Sequence, residues 1–361
     1  MKRVIIVGGG YAGTSLARAL DAAFEVVLVE PREAFLHNVA AIRAVVEPGL
    51  LDQIILPYDR LLKRGRVVRE RVTAVADGSV RLASGGSLEA DFIVLATGSG
   101  YAQPFKPVTD SMADFRAASA ATEAAIKRAS SIAIVGAGAV GVELAGEIAA
   151  SVRGKSVTLV SAGATLFPEF APGLGQRLAA DLRKLGVTVR MGVRAEGLGA
   201  ADRPVAGPLR LDTGEVIAAD LVIPAMGARP DTAVLTGAPA ARFDRLGRVE
   251  TDGWMRPAGL KRVFALGDMA ANGDMMTIVA ASRQAPWLAK TLEAVAAGKA
   301  VEDLPTYAAW TSPPILVPLG PKRGASVLPV GRNGTVVGPM LTAAIKGKSL
   351  FIPRYHKEFG L

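Results

Sequence analysis

Val4-Ile5-Ile6-Val7 runs into Gly8-Gly9-Gly10-Tyr11-Ala12-Gly13, and 128 residues later Ile132-Ala133-Ile134-Val135 runs into Gly136-Ala137-Gly138-Ala139-Val140-Gly141. Each is a short apolar strand that stops at G-x-G-x-x-G and hands over to a helix. The glycines let backbone N–H groups approach a pyrophosphate at the positive end of that helix, where a Cβ would intrude. A single match of this kind is weak. Two in tandem predict two dinucleotides, and a chain that holds two is suited to passing electrons between them.

The repetition extends beyond the turns. A Val- and Thr-rich stretch with turn signals at Asp77-Gly78 and Gly85-Gly86 leads into Asp91-Phe92-Ile93-Val94-Leu95-Ala96-Thr97-Gly98. In the second half, strands around Asp212-Thr213-Gly214 lead into Asp220-Leu221-Val222-Ile223-Pro224-Ala225-Met226-Gly227. Asp91 and Asp220 are 129 residues apart, as are Gly98 and Gly227. A shared offset over four landmarks predicts two copies of one β-α-β unit carrying an inserted hairpin.

Composition narrows the chemistry. The chain has no Cys and only two His, His37 and His356. Disulfide exchange, iron–sulfur ligation by cysteine and a histidine-rich metal site are all excluded. Electrons held by a bound cofactor must therefore leave directly for an external acceptor. With 361 residues, half of them apolar, the chain is long enough for two or three domains with full cores. No apolar run approaches the length of a membrane-spanning helix. The first strand begins at about Arg3 and residue 2 is Lys, so neither a leader nor N-myristoylation is expected. The expected location is cytoplasmic.

The net charge of +9 is uneven. From Pro321 onward, Lys322, Arg323, Arg332, Lys346, Lys348, Arg354 and Lys357 face Glu358 alone, which puts +6 in the last 41 residues. Interleaved Val336, Val337, Met340, Leu341, Ile345, Leu350, Phe351 and Ile352 make the segment basic and apolar. Two readings stand side by side: a tail resting weakly on an anionic membrane surface, or a C-terminal domain with a solvated basic rim. No nucleic-acid module is recognisable, so no nucleic-acid partner is expected.

Glu30 closes the second strand of the first unit, 17 residues after Gly13, where an acid accepts hydrogen bonds from an adenosine ribose. FAD and NAD both satisfy that test. A later stretch, Val263-Phe264-Ala265-Leu266-Gly267-Asp268, separates them. A strand ending in Gly-Asp before a helix over about Thr277–Leu292 resembles the second flavin motif of two-dinucleotide flavoproteins. There the carboxylate holds the ribityl chain and the helix points its N-terminus at the flavin. The first unit is therefore assigned FAD, through Gly8 to Gly13, Glu30, Ala96-Thr97-Gly98 and Gly267-Asp268. The second is assigned the nicotinamide nucleotide, through Gly136, Gly138, Gly141, Gly227 and the strand ending at Ser161. Ser161 is neither an acid that selects NADH nor a base that welcomes a 2′-phosphate, so NADH and NADPH both remain open.

Over nearly its full length the sequence resembles the ferroptosis-suppressor and apoptosis-inducing-factor-like group of FAD-dependent NAD(P)H:quinone oxidoreductases. The specific residues are Phe35-Leu36-His37-Asn38-Val39-Ala40-Ala41-Ile42-Arg43, Gly138-Ala139-Val140-Gly141-Val142-Glu143, and Lys346-Gly347-Lys348-Ser349-Leu350-Phe351. That resemblance implies that Arg43 and Val72 contact FAD, that His37 sits beside the isoalloxazine, and that Glu143 touches the nicotinamide nucleotide. It also implies that Lys346 and Phe351 line the quinone side of the flavin, with His37 orienting or protonating there. The chain departs from the group's vertebrate members at its N-terminus, which lacks the myristoylated Gly, and at Met269 after Gly-Asp.

The expected fold is α/β, with two Rossmann-like dinucleotide-binding domains and a small C-terminal domain. Residues 1–105 and 240–305 form the FAD domain, 106–239 the NAD(P)H domain, and 306–361 the C-terminal domain with its basic apolar tail. The expected activity carries hydride from NAD(P)H through FAD to a quinone such as ubiquinone. The shared motifs also suit a reductase of a small acidic carrier of the ferredoxin type, or a slow NADH-sensing flavoprotein.

Overall fold

A computed structural model describes residues 1–361. Strand Arg3–Val7 lies in the middle of a five-stranded sheet whose order is Val263–Ala265, Phe92–Leu95, Arg3–Val7, Glu25–Val29, Arg66–Val68. All four pairings are parallel. The central strands are continuous apolar runs because helices and loops cover both sheet faces, leaving Val4, Ile5, Ile6, Ile93 and Val94 without exposed surface. Helix Tyr11–Leu20 packs against helix Ile278–Ala296 on one of those faces.

Strand Ser131–Val135 has the same place in a second sheet, ordered Thr188–Met191, Ser156–Ser161, Ser131–Val135, Leu221–Pro224, Val205–Ala206. Here the last strand is antiparallel, where the first sheet has the parallel strand Val263–Ala265. The predicted insertions are small antiparallel sheets, Val72–Ala76 with Ser79–Leu82 and Ser87–Glu89, and Ala195–Glu196 with Leu209–Leu211 and Val216–Ile217. The duplicated aspartates do the same work twice. Asp91 Oδ2 accepts the Arg3 N–H at 2.7 Å, and Asp220 Oδ2 accepts the Ser130 and Ser131 N–H groups at 2.8 and 2.9 Å. Each pins the start of its unit's central strand to the start of the strand beside it.

The two units meet through paired segments. Ser99–Gly100 and Arg229–Pro230, each just past its unit's Gly98 or Gly227, form a short antiparallel ladder. The last part of the chain straddles both units. Its three-stranded sheet, Ile315–Pro318, Gly324–Leu328 and Thr335–Val337, buries Val317, Leu319, Ala325 and Val327 in the second unit's core. Its last helix, Ile352–Glu358, places Tyr355 and the following Phe359 in the first unit's core. Phe359 is only 1% exposed, and truncating a ring so buried costs about 3–5 kcal/mol.

The basic apolar tail is mostly interior. Leu350 and Ile352 are core residues, Ile345 and Phe351 are partly covered, and Lys346 is buried. Of the apolar side chains interleaved with its charges, only Met340 and Leu341 are exposed, so most of the apparent greasiness serves to pack the tail against the two units. No helix is long and apolar enough to cross a membrane.

Candidate functional site

The two glycine turns have nearly the same backbone. Gly8 and Gly136 have φ of +107° and +109°, in the left-handed region that glycine alone enters without strain. A Cβ on Gly8 would lie 2.4 Å from the Ala96 carbonyl oxygen, and one on Gly136 would lie 2.3 Å from that of Ala225. A Cβ on Gly13 or on Gly141 would lie 1.9 Å from the carbonyl oxygen of Gly8 or Gly136. These glycines are there so that helix, turn and neighbouring strand can close up. The middle glycines differ: around Gly10 and Gly138 nothing lies within 4 Å of a would-be Cβ. Both stand at the N-caps of helices Tyr11–Leu20 and Ala139–Ser151, and neither helix start has a side-chain cap. Free N–H groups facing open space are what a pyrophosphate requires, and both turns fit one.

Glu30 ends the first unit's second strand and is 1% exposed. It accepts the Gly9 N–H at 2.6 Å and, from Arg32, the backbone N–H at 3.0 Å and Nε at 2.7 Å. Burial pushes its carboxyl up, but Arg32 and the Gly9 N–H outweigh burial and hold it below the usual range. The ribose-binding acid is thus ionised and fixed in place. Ser161 ends the corresponding strand of the second unit, and its Oγ accepts only the Gly163 N–H, at 3.2 Å.

The turns converge on one cavity of about 310 Å³. Gly10, Tyr11 and Ala12 line it from the first unit, Ala139, Val140 and Glu143 from the second. Ala96, Thr97 and Gly98 form another wall, together with Gly267 and Asp268. Gly267 is left-handed, with φ +76°, and donates its N–H to Gln284 Oε1 at 2.7 Å. Asp268 Oδ2 accepts from Ser99 Oγ at 2.6 Å and from Lys106 Nζ at 3.3 Å. Helix Ile278–Ala296 begins at this wall, with Met276, Thr277, Ile278 and Val279 along it. Met269 points away from the cavity, its sulfur 3.1 Å from Thr97 Oγ. Gly227 donates its N–H to the Tyr101 hydroxyl at 3.4 Å, and burial pushes that phenol up to about 12.

The tail closes the cavity. Pro314, Ile315, Leu316, Lys346 and Phe351 line that side. Lys346 belongs to a π-helical turn, Ala343–Gly347, and its Nζ donates to Glu143 Oε1 at 2.7 Å and to the Leu316 carbonyl at 3.1 Å. Burial pushes the Glu143 carboxyl up to about 6, with Lys346 opposing. Phe351 follows through strained backbone, since Leu350 and Phe351 both have left-handed φ, +49° and +63°.

His37 is within 1% of complete burial and does not line the cavity. Its Nε2 is 2.6 Å from the Leu350 carbonyl, which only accepts, so Nε2 carries the proton. Nδ1 is then free to accept from the Tyr11 hydroxyl at 2.9 Å, while that oxygen accepts the Val39 N–H at 3.2 Å. Burial lowers the imidazole to about 4, and it is neutral near pH 7. His37 therefore latches the strained Leu350–Phe351 turn, one residue layer behind the cavity wall.

Two residues expected at the flavin lie elsewhere. Arg43 does not line the cavity; its guanidinium forks onto Glu147, with Nε at 3.0 Å and Nη2 at 2.8 Å from Oε1. Val72 is packed in the core beneath the sheet, with 7% exposure. Sequence reasoning missed Arg32, Lys106, Ser99 and Gln284. Arg32, two residues past Glu30, was within reach of a charge-pattern argument; the others meet their partners only through long-range folding.

Comparison with known proteins agrees with this geometry. The family model described as pyridine nucleotide-disulphide oxidoreductase matches residues 2–285. Apoptosis-inducing factor homolog B of Dictyostelium discoideum is 31% identical, the alignment covering 98% of this chain and 96% of that one. Ferroptosis suppressor protein 1 of Taeniopygia guttata is 28% identical over 99% of this chain and 96% of its own length. Among solved structures, the putidaredoxin reductase of a covalent putidaredoxin reductase–putidaredoxin complex superposes with a TM-score of 0.66 at 22% identity, covering 81% of this chain and 75% of that one. Two unblocked glycine turns opening on one cavity, a matching family model and full-length relatives point the same way: the chain belongs to the pyridine nucleotide-disulphide oxidoreductase family, beside the apoptosis-inducing factor homologues and ferroptosis suppressor proteins, and is an NAD(P)H-dependent FAD oxidoreductase.

Proposed function

We propose that the electrons leave this protein on a quinone. The observation that carries the reading is the cavity wall supplied by the tail. It offers an aromatic ring at Phe351, apolar surface at Ile315 and Leu316, and one ammonium, Lys346, held between Glu143 and the Leu316 carbonyl. A quinone is a flat apolar ring with two carbonyl oxygens, and this wall complements both features. With no Cys in the chain, no thiol relay stands between flavin and acceptor.

Bound FAD supplies the two-electron relay between the hydride donor and the acceptor. Gly10 and Gly138 leave their helix N-termini open to the two pyrophosphates, and Glu30 and Asp268 anchor the flavin nucleotide by its ribose and ribityl hydroxyls. Phe351 stacks the quinone ring, and Lys346 faces the carbonyl oxygen on which negative charge develops. An ammonium fixed there before reaction stabilises that charge without reorganising. His37 acts by orientation, since its neutral ring is committed at both nitrogens to Leu350 and Tyr11. One of the two protons of the quinol originates in the hydride and the other comes from solvent.

The test is steady-state NADH and NADPH oxidation by the FAD-loaded protein with a short-chain ubiquinone, against no-acceptor and ferredoxin controls. Quinone-dependent turnover well above the oxygen background supports the reading. Rapid flavin reduction without quinone turnover defeats it. A second reading, reductase of a small acidic electron carrier, is favoured by the likeness to a carrier reductase and by the basic residues past Pro321. It predicts ferredoxin-dependent turnover that falls steeply with ionic strength.

A further inference from the structure

Helix Ala139–Ser151 carries Glu143 and Glu147 one turn apart, and they are 3% and 2% exposed. Each meets a cation from a different part of the chain. Glu143 lies on the cavity wall and takes Lys346 from the tail. Glu147 lies one turn farther from the glycine turn, behind that wall, and takes Arg43 from helix Asn38–Ala44. Arg43 Nε is 3.0 Å from both carboxylate oxygens and Nη2 is 2.8 Å from Oε1. Arg43 itself is 4% exposed.

The two helices joined by this fork have complementary positions. Helix Ala139–Ser151 starts at Gly138 and presents its first turn to the nicotinamide nucleotide. Helix Asn38–Ala44 presents Asn38, Val39 and Ile42 to the cavity from the first unit. Any slide or rotation between them changes how far the hydride donor stands from the flavin. Hydride transfer needs reacting atoms about 3–3.5 Å apart, and a misplacement of about 1 Å costs on the order of a hundredfold. A guanidinium–carboxylate fork is directional and resists such a slide, whereas apolar side chains of the same volume would hold the helices together without fixing their register. The fork is also a poor source of stability, since a buried ion pair is often matched by apolar packing.

We propose that Arg43 and Glu147 are positioning residues for hydride transfer, their fork fixing the helix that aims the nicotinamide against the helix that lines the flavin cavity. Neither touches a reacting atom. The proposal rests on the NAD(P)H-to-FAD step alone and is independent of the acceptor.

The test uses the FAD-loaded full chain and compares wild type with Arg43→Met, Glu147→Met and the double variant. It reads FAD content, Tm, anaerobic flavin reduction at saturating NADH or NADPH, and the long-wavelength charge-transfer absorbance of nicotinamide stacked on reduced flavin. The Arg43→Met variant is expected to lower Tm, because Glu147 is left buried and unpaired. The double variant is expected to regain Tm and keep its FAD, yet reduce flavin about tenfold or more slower, with a weakened charge-transfer band. A double variant with recovered Tm, wild-type flavin reduction and the native band would overturn the proposal, leaving the pair a packing device. Loss of FAD from a folded Arg43→Met protein would also overturn it, by making Arg43 a flavin contact. If the double variant does not fold, Arg43→Lys keeps the charge and loses the fork: slowed hydride transfer at near-native Tm supports positioning, and a wild-type rate refutes it. Failure of wild-type flavin to be reduced by either nucleotide would strike the underlying NAD(P)H reading instead.

Discussion

Lys346 Nζ and Glu143 Oε1 lie 2.7 Å apart, although 203 residues separate the two side chains in sequence. The contact depends on the tail crossing from the second unit, where its three-stranded sheet packs, to the first unit, where Tyr355 and Phe359 are buried. On that path a π-helical turn brings Lys346 over the first turn of the nicotinamide-side helix. The flavin cavity is therefore closed by three parts of the chain, and the ammonium on its wall is held by a carboxylate on the donor side.

Replacing Lys346 with Met removes the cation while leaving both glycine turns untouched. Quinone turnover is expected to fall by about a hundredfold, the scale of losing one preorganised charge-stabilising donor. Flavin reduction by NADH, followed alone under anaerobic conditions, is expected to stay near wild type. Normal rates in both half-reactions would remove Lys346 from the acceptor site.

Glu143 gives the reaction a pH limb. Burial raises its carboxyl from 4.5 to about 6, so the carboxylate that holds Lys346 is progressively protonated as pH falls through that value. Quinone turnover should decline over the same range. Glu143→Gln should remove the limb and leave a lower, flat profile, measured as kcat/KM against pH at constant ionic strength. A limb that persists in the variant belongs to another group.

His37 makes the opposite contribution to folding. Its value drops from 6.5 in the unfolded chain to about 4 in the buried site, so the unfolded state binds more protons between those values. Stability from the neutral ring is complete above 6.5 and is lost as pH falls toward about 4, a change of about 3 kcal/mol. Glu143, raised in the folded state, works the other way: its contribution is present below 4.5 and is lost as pH rises through about 6. The histidine titrates over the wider interval, so its effect on stability outweighs that of Glu143. Urea midpoints across this window should fall less steeply with acid in His37→Phe than in wild type, and equal slopes would show that the imidazole charges without penalty.

The glycines of the second turn separate packing from binding. Ala at Gly141 would set a methyl 1.9 Å from the Gly136 carbonyl oxygen, so Gly141→Ala should lower Tm and abolish nucleotide-dependent flavin reduction together. Ala at Gly138 meets nothing within 4 Å, and φ there is −73°, so Gly138→Ala should fold normally. Its methyl enters the space reserved for the pyrophosphate, and KM for NADH is expected to rise about tenfold or more at unchanged Tm. A normal KM would place the pyrophosphate elsewhere.

Much of this protein was legible residue by residue. Apolar strands, left-handed glycines and helix starts depend on neighbours within a few positions, because backbone sterics and side-chain period act locally. The paired landmarks Asp91 and Asp220, and Gly98 and Gly227, carried the duplication, since the same short-range duties recur in each unit. Glu30 and Asp268 were readable for the same reason: each ends a strand at a fixed distance from a glycine turn.

Other features had no local signal. The charges and apolar residues of the tail look the same in sequence whether they meet a membrane, water or a core, and only packing turned Leu350 and Ile352 inward and Lys346 onto Glu143. Arg43 found Glu147, 104 residues away, and His37 found Leu350, 313 away, because folding brought unrelated elements into register. By itself the sequence determined two dinucleotide units and the chemistry they bind, since those rest on backbone shape written in contiguous residues. Tertiary structure alone decided which charges pair and which side chains close the cavity, since a buried ion must find its partner wherever the chain's packing delivers one.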